Sequence, residues 1–226
     1  HFSDDEGWRL AIEKFPELTS YGAQHAFPVK KEDGSFVEEN ALGMSYGGFD
    51  TEVVNGHISK EDYIEILRYA WERRIKVIPE FDMPAHAYAM IKSMEKYAER
   101  TGDTSYLLSE PEDQSEYRSV QGFTHNAINV ALPSTYNFIE VIFDQVIAYH
   151  NEAGVPLPAI HVGGDEVPHG AWEKSPACMK LMEENGWTNL RMLKSYFLNK
   201  VLDIAEPRGV KISGWQEMVT DIDPVV

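Results

Sequence analysis

A chain of 226 residues with 43% hydrophobic content can bury a sizeable core, so one globular domain is expected. Thirty-seven acidic residues against 20 basic ones leave a formal net charge of −17, which repels phosphate backbones and anionic lipid and points away from nucleic acid and membrane surfaces as partners. Cys178 is the single cysteine, which excludes an internal disulfide and a multi-cysteine metal site, and no apolar run reaches the roughly 20 residues of a bilayer span.

The chain opens on "HFSDDEGW", with Asp4 and Asp5 at the end of a short apolar run. Residues 20–58, rich in Gly, Glu and Asn, form a long loop. Ser59, with Asp62 three positions on, signals a helix start, and Tyr63, Ile66, Leu67 and Ala70 supply its apolar stripe. Ile75 to Phe81 (IKVIPEF) reads as a strand, and residues 100–132, polar with Tyr106, Tyr117 and Phe123, as a second long loop. A helix enters through Pro133-Ser134, carries Ile139, Ile142, Phe143, Val146 and Tyr149, and stops at Gly154. The strand Ala159 to Val162 follows. The last helix carries Leu190, Leu193, Phe197, Val201 and Ile204, is stopped by Pro207 and Gly209, and leads into the strand Val210 to Trp215.

Helices alternating with continuous apolar strands predict a parallel sheet covered on both faces, either an α/β barrel or an open α/β sheet. Asp4-Asp5, Glu80 to Asp82, Asp165-Glu166 and Gln216-Glu217 all fall at the C-terminal ends of strand-like runs, the active-site face of a (β/α)8 TIM barrel, which tips the choice. Such a barrel takes about 250 residues. The reading is a single catalytic domain over 1–226, a barrel incomplete at both ends.

"HVGGDEVPHG", residues 161–170, carries the most chemistry. Neighbours on a regular strand face opposite ways, so Asp165 and Glu166 can share a site only where the strand ends and turns, which Gly163 and Gly164 permit. Two carboxylates in different environments can hold different protonation states, as acid–base catalysis needs. The plainer alternative is a Gly-rich turn with a solvated helix cap. His86 of "EFDMPAHA" is placed to tune a strand-end acid by hydrogen bonding, with Asp4 behind its other nitrogen. Asp82 and Glu80 read as structural. Trp215 of "GWQEM" offers a face to a sugar ring or packs in the barrel. His161, Asp165, Glu166 and His169 supply metal-type donors, but no spacing reproduces a closed pattern such as HExxH. No P-loop or GxGxxG occurs.

"HFSDDEGWRLAIEKFPELTSYGA", "VIPEFDMPAHA", "HVGGDEV" and "GWQE", in this order, resemble the catalytic barrel of family 20 glycoside hydrolases, the β-N-acetylhexosaminidases; "SVQGFTHNAINVALPSTYNFIE" resembles their bacterial chitobiase-like branch. The resemblance implies a retaining exo-hydrolase of terminal β-linked N-acetylglucosamine or N-acetylgalactosamine in which the substrate's own 2-acetamido oxygen is the nucleophile, without cofactor or metal. It implies Glu166 as general acid and base, Asp165 as the group that orients the acetamido N–H, His86 and Asp4 as support for the acid, and Trp215 as an aromatic wall. Glu217 and Trp172 complete the expected substrate contacts, Trp172 toward the leaving group. Export to the periplasm or outside the cell is a further family expectation. The alternatives are a non-catalytic carbohydrate-binding barrel and a metal-assisted hydrolase.

Overall fold

The computed structural model describes residues 1–25, 29–30, 36–37 and 54–219. In chain order the elements are β1 (Ser3–Asp4), β2 (Gly7–Trp8), α1 (Glu17–Ser20), β3 (Gln24–His25), β4 (Val29–Lys30), β5 (Phe36–Val37), β6 (Val54–Asn55), α2 (Lys60–Glu72), α3 (Tyr88–Thr101), α4 (Pro133–Ala153), β7 (Ile160–His161), α5 (Pro176–Asn185), α6 (Arg191–Ala205) and β8 (Ile212–Ser213). Much of the long loop expected over 20–58 lies outside the described residues; within it β3 pairs antiparallel with β6 and β4 with β5.

Four backbone stretches run side by side. Phe2 donates its N–H to Glu80 O at 2.8 Å, Phe81 to His161 O at 2.9 Å, and Met83 to Val162 O at 3.0 Å. β7 pairs parallel with β8, and Glu80 bridges His161 in parallel. The order is β1, residues 79–83, β7, β8, with helices between successive strands, as expected for a parallel α/β sheet.

The predicted run Ile75 to Phe81 is displaced. Ile75 and Ile78 are 56% and 48% exposed, and pairing falls on 79–83 rather than 75–81. Arg74 turns with φ +62°, and Pro79 has no N–H to donate, so the ladder starts there through its carbonyl, which accepts from His161 N at 2.9 Å. Asp82 consequently lies inside the paired stretch instead of beyond it.

The predicted helices form where expected, each for a local reason. Ser59 and Asp62 make a reciprocal capping box at α2, and its buried stripe is Tyr63, Ile64, Leu67 and Ala70, with Ile66 exposed in place of Ile64. Pro133 sits in the first turn of α4, and Gly154 ends it in the left-handed region at φ +70°. Two helices escape sequence reading. α5 has only Cys178 and Met182 buried, too thin a stripe to see, although Ser175 caps it. α3 has no cap from its own N-cap residue, Ala87; its Tyr88 N–H is instead accepted by Asp5 Oδ1 at 3.1 Å, from 83 residues away.

The core beneath the strand ends is aromatic. Trp8 stacks on Phe81 with ring centroids 5.3 Å apart and meets Phe138 edge-on at 6.2 Å, while Phe15 stacks on Phe138 at 5.5 Å. Such pairs contribute roughly 0.5–1.5 kcal/mol each beyond burial. Trp8 is fully buried, so the turn that carries Asp4 and Asp5 is pinned from below. No helix among the described residues is long and apolar enough to cross a membrane.

Candidate active site

The strand ends bring five acidic groups and a histidine together. Their closeness explains the paired glycines. A Cβ on Gly163, at φ +67°, would lie 1.7 Å from Asp82 Oδ1, and one on Gly164, at φ +100°, would lie 2.7 Å from the Met218 thioether. Without side chains the backbone passes directly over Asp82, and Gly164 N–H donates to Asp82 Oδ1 at 3.1 Å. The chain then delivers Asp165 and, in the left-handed region at φ +47°, Glu166. That conformation costs a non-glycine residue roughly 1–3 kcal/mol and marks a position held by its surroundings.

His86, itself at φ +50° and buried, is the hub. Its Nε2 lies 3.4 Å from Glu166 Oε2, and its Nδ1 lies 3.5 Å from Asp4 Oδ1 and 3.4 Å from Asp5 Oδ2. Asp4 therefore stands where the sequence placed it, but it shares the post with Asp5. Asp5 is fully buried and held by Asn126 Nδ2 at 2.9 Å as well as by Tyr88 N–H; Asp4 remains partly exposed and also meets His1 Nε2 at 3.0 Å. Burial alone disfavours an imidazolium, yet the hydrogen bonds to Asp4 and Asp5 and the charges of Asp82 and Asp5 outweigh it and raise His86 to about 11. Burial works to raise Asp4 in turn, but the hydrogen bonds from His1 and His86 hold it far below the usual carboxylate range.

Asp82 belongs to the site. Only 3% exposed, it is pushed well above the usual carboxylate range, first by burial and then by the charge of Asp165. Donor atoms of Asp82, His86 and Asp165 converge within 4.8 Å, as do those of Asp4, Asp5 and His86. A cation could bridge such distances. Gln121, from the loop before α4, donates Nε2 to Glu166 Oε2 at 2.7 Å. Sequence reading singled out neither Asp82, Asn126 nor Gln121 as a site residue; the loop signal around 100–132 was the available pointer to the last two.

The proposed sugar contacts lie further out. Trp215 is 48% exposed, with its ring centroid 4.8 Å from that of His161 at an interplanar angle of 69°. Glu217 is half-buried, and its backbone carbonyl accepts from Lys194 Nζ at 2.7 Å. Lys194, whose pKa burial lowers, also faces the charge of Asp165. Trp172 stands apart. It is 4% exposed, its indole N–H donates to Ile128 O at 2.9 Å, and it borders a separate hollow of about 140 Å³ beside His169 and Leu190.

Residues 1–225 match the family model described as glycosyl hydrolase family 20, catalytic domain. The chain belongs to glycosyl hydrolase family 20. Similar family 20 proteins include a beta-hexosaminidase of Vibrio vulnificus, 38% identical over 96% of this chain, and an N,N'-diacetylchitobiase of Vibrio harveyi, 34% identical over 96%. The chain spans 26% and 28% of their respective lengths. The crystal structure of the exo beta-N-acetylglucosaminidase of Vibrio harveyi in complex with N-acetylglucosamine superposes with a TM-score of 0.79 at 35% identity, over 96% of this chain and 30% of that one. The likeness to family 20 structures implies a TIM-barrel-like α/β fold, in which the four adjacent strands take their place.

Proposed function

We propose that the chain is the catalytic part of an exo-β-N-acetylhexosaminidase that removes terminal β-linked N-acetylglucosamine or N-acetylgalactosamine with retention, through a substrate-assisted oxazolinium intermediate. The observation that carries this reading is the contact of Glu166 with His86, itself backed by Asp4 and Asp5, with Asp165 next in the chain. Glu166, 42% exposed at its side chain, gives a proton to the departing glycosidic oxygen as the acetamido oxygen attacks the anomeric carbon. Asp165 accepts the acetamido N–H and stabilises the positive charge that spreads over the new ring. Water then attacks the anomeric carbon, its proton returns to Glu166, and the acetamido group is restored. His86, held as an imidazolium, stabilises the Glu166 carboxylate formed between the two steps.

Trp215 supplies the aromatic wall, with Glu217 near it, and Trp172, at the hollow beside His169, lines the leaving-group side. We place residues 1–226 in a (β/α)8 barrel as its strand-end catalytic segment, and the substrate outside the cytoplasm, as the glycans of this chemistry suggest. A binding-only barrel would have no use for the proton-transfer group, and a metal-assisted route would be sensitive to chelator.

The test compares chromophore release from an aryl β-N-acetylglucosaminide and the matching β-glucoside, with Glu166→Gln as control. Turnover of the first alone, lost in the control, is the expected result. Turnover of both would require a nucleophile from the protein and overturn the mechanism.

A further inference from the structure

Asp165 has a second neighbour whose role the catalytic cycle above leaves open. Its Oδ1 is shielded from solvent and has no hydrogen-bond donor among the described residues. A buried carboxylate oxygen left so costs roughly 1–3 kcal/mol or more. Beside it lies Asp82, equally removed from water, with one carboxyl oxygen occupied by Gly164 N–H at 3.1 Å. The backbone of Asp82 is fixed on both sides, its N–H donated to Ser3 Oγ at 3.0 Å and the next residue's N–H to Val162 O at 3.0 Å. Gly163 packs directly against one side of the Asp82 carboxyl.

We infer that Asp82 is a positioning residue for Asp165: its carboxyl keeps a proton and donates it to Asp165, so that the pair carries one negative charge and the acetamido-orienting side chain is fixed before substrate arrives. The arrangement is self-consistent. One oxygen of Asp82 accepts from Gly164, and the other, as O–H, supplies the donor that Asp165 lacks. Two ionised carboxylates in this buried space would repel each other strongly. The groups facing Asp82 are Asp165, which opposes its ionisation, and His86, whose positive charge favours it; burial is the largest influence and also keeps the proton on. Beyond them stand Asp4, Asp5 and Glu166 around His86, and Lys194 facing Asp165. When Asp82 loses its proton at alkaline pH, Asp165 loses its donor and gains a like-charged neighbour, and its hold on the acetamido group fails.

This inference rests on the hexosaminidase reading for its catalytic consequence but not for its protonation claim, so two measurements separate them. In the free full chain with carboxyl-13C aspartate, one resonance should titrate far above the ordinary carboxylate value of about 4. It should be absent in Asp82→Asn and move down in Asp165→Asn. If every aspartate titrates in the ordinary range, the inference is overturned whatever the enzyme does. In the second measurement, kcat and KM for an aryl β-N-acetylglucosaminide are followed against pH. Asp82→Asn, whose amide reproduces both hydrogen bonds without titrating, should keep at least tenfold more activity than Asp82→Ala and show its alkaline loss of kcat at higher pH than wild type. Equal damage in the two variants, or an unmoved alkaline limb, would refute the positioning role. A wild-type chain silent on this substrate while the high-titrating resonance is present would sink the hexosaminidase reading and leave the shared proton standing.

Discussion

Replacing Gly163 by alanine offers a direct probe of how the site is built, because Gly154 provides a matched control. Both residues sit in the left-handed region, at φ +67° and +70°, so the backbone penalty for an alanine is the same, roughly 1–2 kcal/mol. Around Gly154 nothing lies within 4 Å of the added Cβ, whereas at Gly163 it would meet Asp82 Oδ1 at 1.7 Å, Cγ at 2.2 Å and Cα at 2.8 Å. Because the Asp82 N–H is bound to Ser3 Oγ and the flanking Phe81 and Met83 N–H groups pair with His161 and Val162, relief requires backbone movement, which adds roughly 1–3 kcal/mol of overpacking. Gly163→Ala should therefore cost about 2–5 kcal/mol against about 1–2 for Gly154→Ala. In a protein of this size each kcal/mol lowers Tm by about 2–4 °C, a difference that parallel thermal unfolding by circular dichroism resolves. Glycosidase activity of Gly163→Ala at a temperature where it is still folded should also fall, while Gly154→Ala stays near wild type. Equal Tm losses in the two variants would show that the strand does not pass over Asp82 as described.

Glu166→Gln should lower kcat on a natural disaccharide by about 10²–10⁴-fold with little change in KM, and the loss should shrink for aryl substrates whose leaving group needs no proton; steady-state kinetics on both substrates reads this. His86 gives a pH signature. Its folded pKa of about 11 lies above the unfolded value near 6.5, so its contribution to stability is fully present below about 6.5 and is lost as pH rises through about 11. Denaturant unfolding should accordingly show wild type and His86→Asn converging across that window; a gap constant from pH 6 to 11 would contradict the imidazolium. Ser59→Ala removes the α2 capping box and should cost about 1 kcal/mol, with activity retained at a temperature where the chain is folded. Chelator should leave turnover unchanged, since the substrate-assisted mechanism needs no metal; inhibition that a divalent cation reverses would reopen the metal-assisted route.

Local signals carried much of the architecture in the sequence. α2, α4 and α6 announce themselves through dense apolar stripes and, at α2, a cap whose partners lie three residues apart. α3 was hidden because its capping group is Asp5, brought in only by the tertiary fold. The strand at 79–83 was misplaced because Ile75 and Ile78 look like core by type yet are exposed, and only the ladder reveals where pairing begins. The same limit applies to the site. Asp165-Glu166, His86 and Asp4 were legible from strand-end position and motif. Asp82 reads as structural because its importance comes from Asp165, 83 residues later, and Asp5 is not singled out beside Asp4 because its burial and its neighbours Tyr88, Asn126 and His86 are supplied only by the fold.

The central claim is that the nucleophile belongs to the substrate. Its most direct test is kcat/KM for a series of aryl β-glucosaminides whose N-acyl group is acetyl, fluoroacetyl, difluoroacetyl and trifluoroacetyl. Fluorine withdraws electrons from the acyl oxygen without changing the leaving group. The account predicts a steady fall in rate along the series, steepest for the trifluoroacetyl compound. A rate indifferent to fluorination would mean that the acyl oxygen does not attack and that a protein carboxylate or an activated water does.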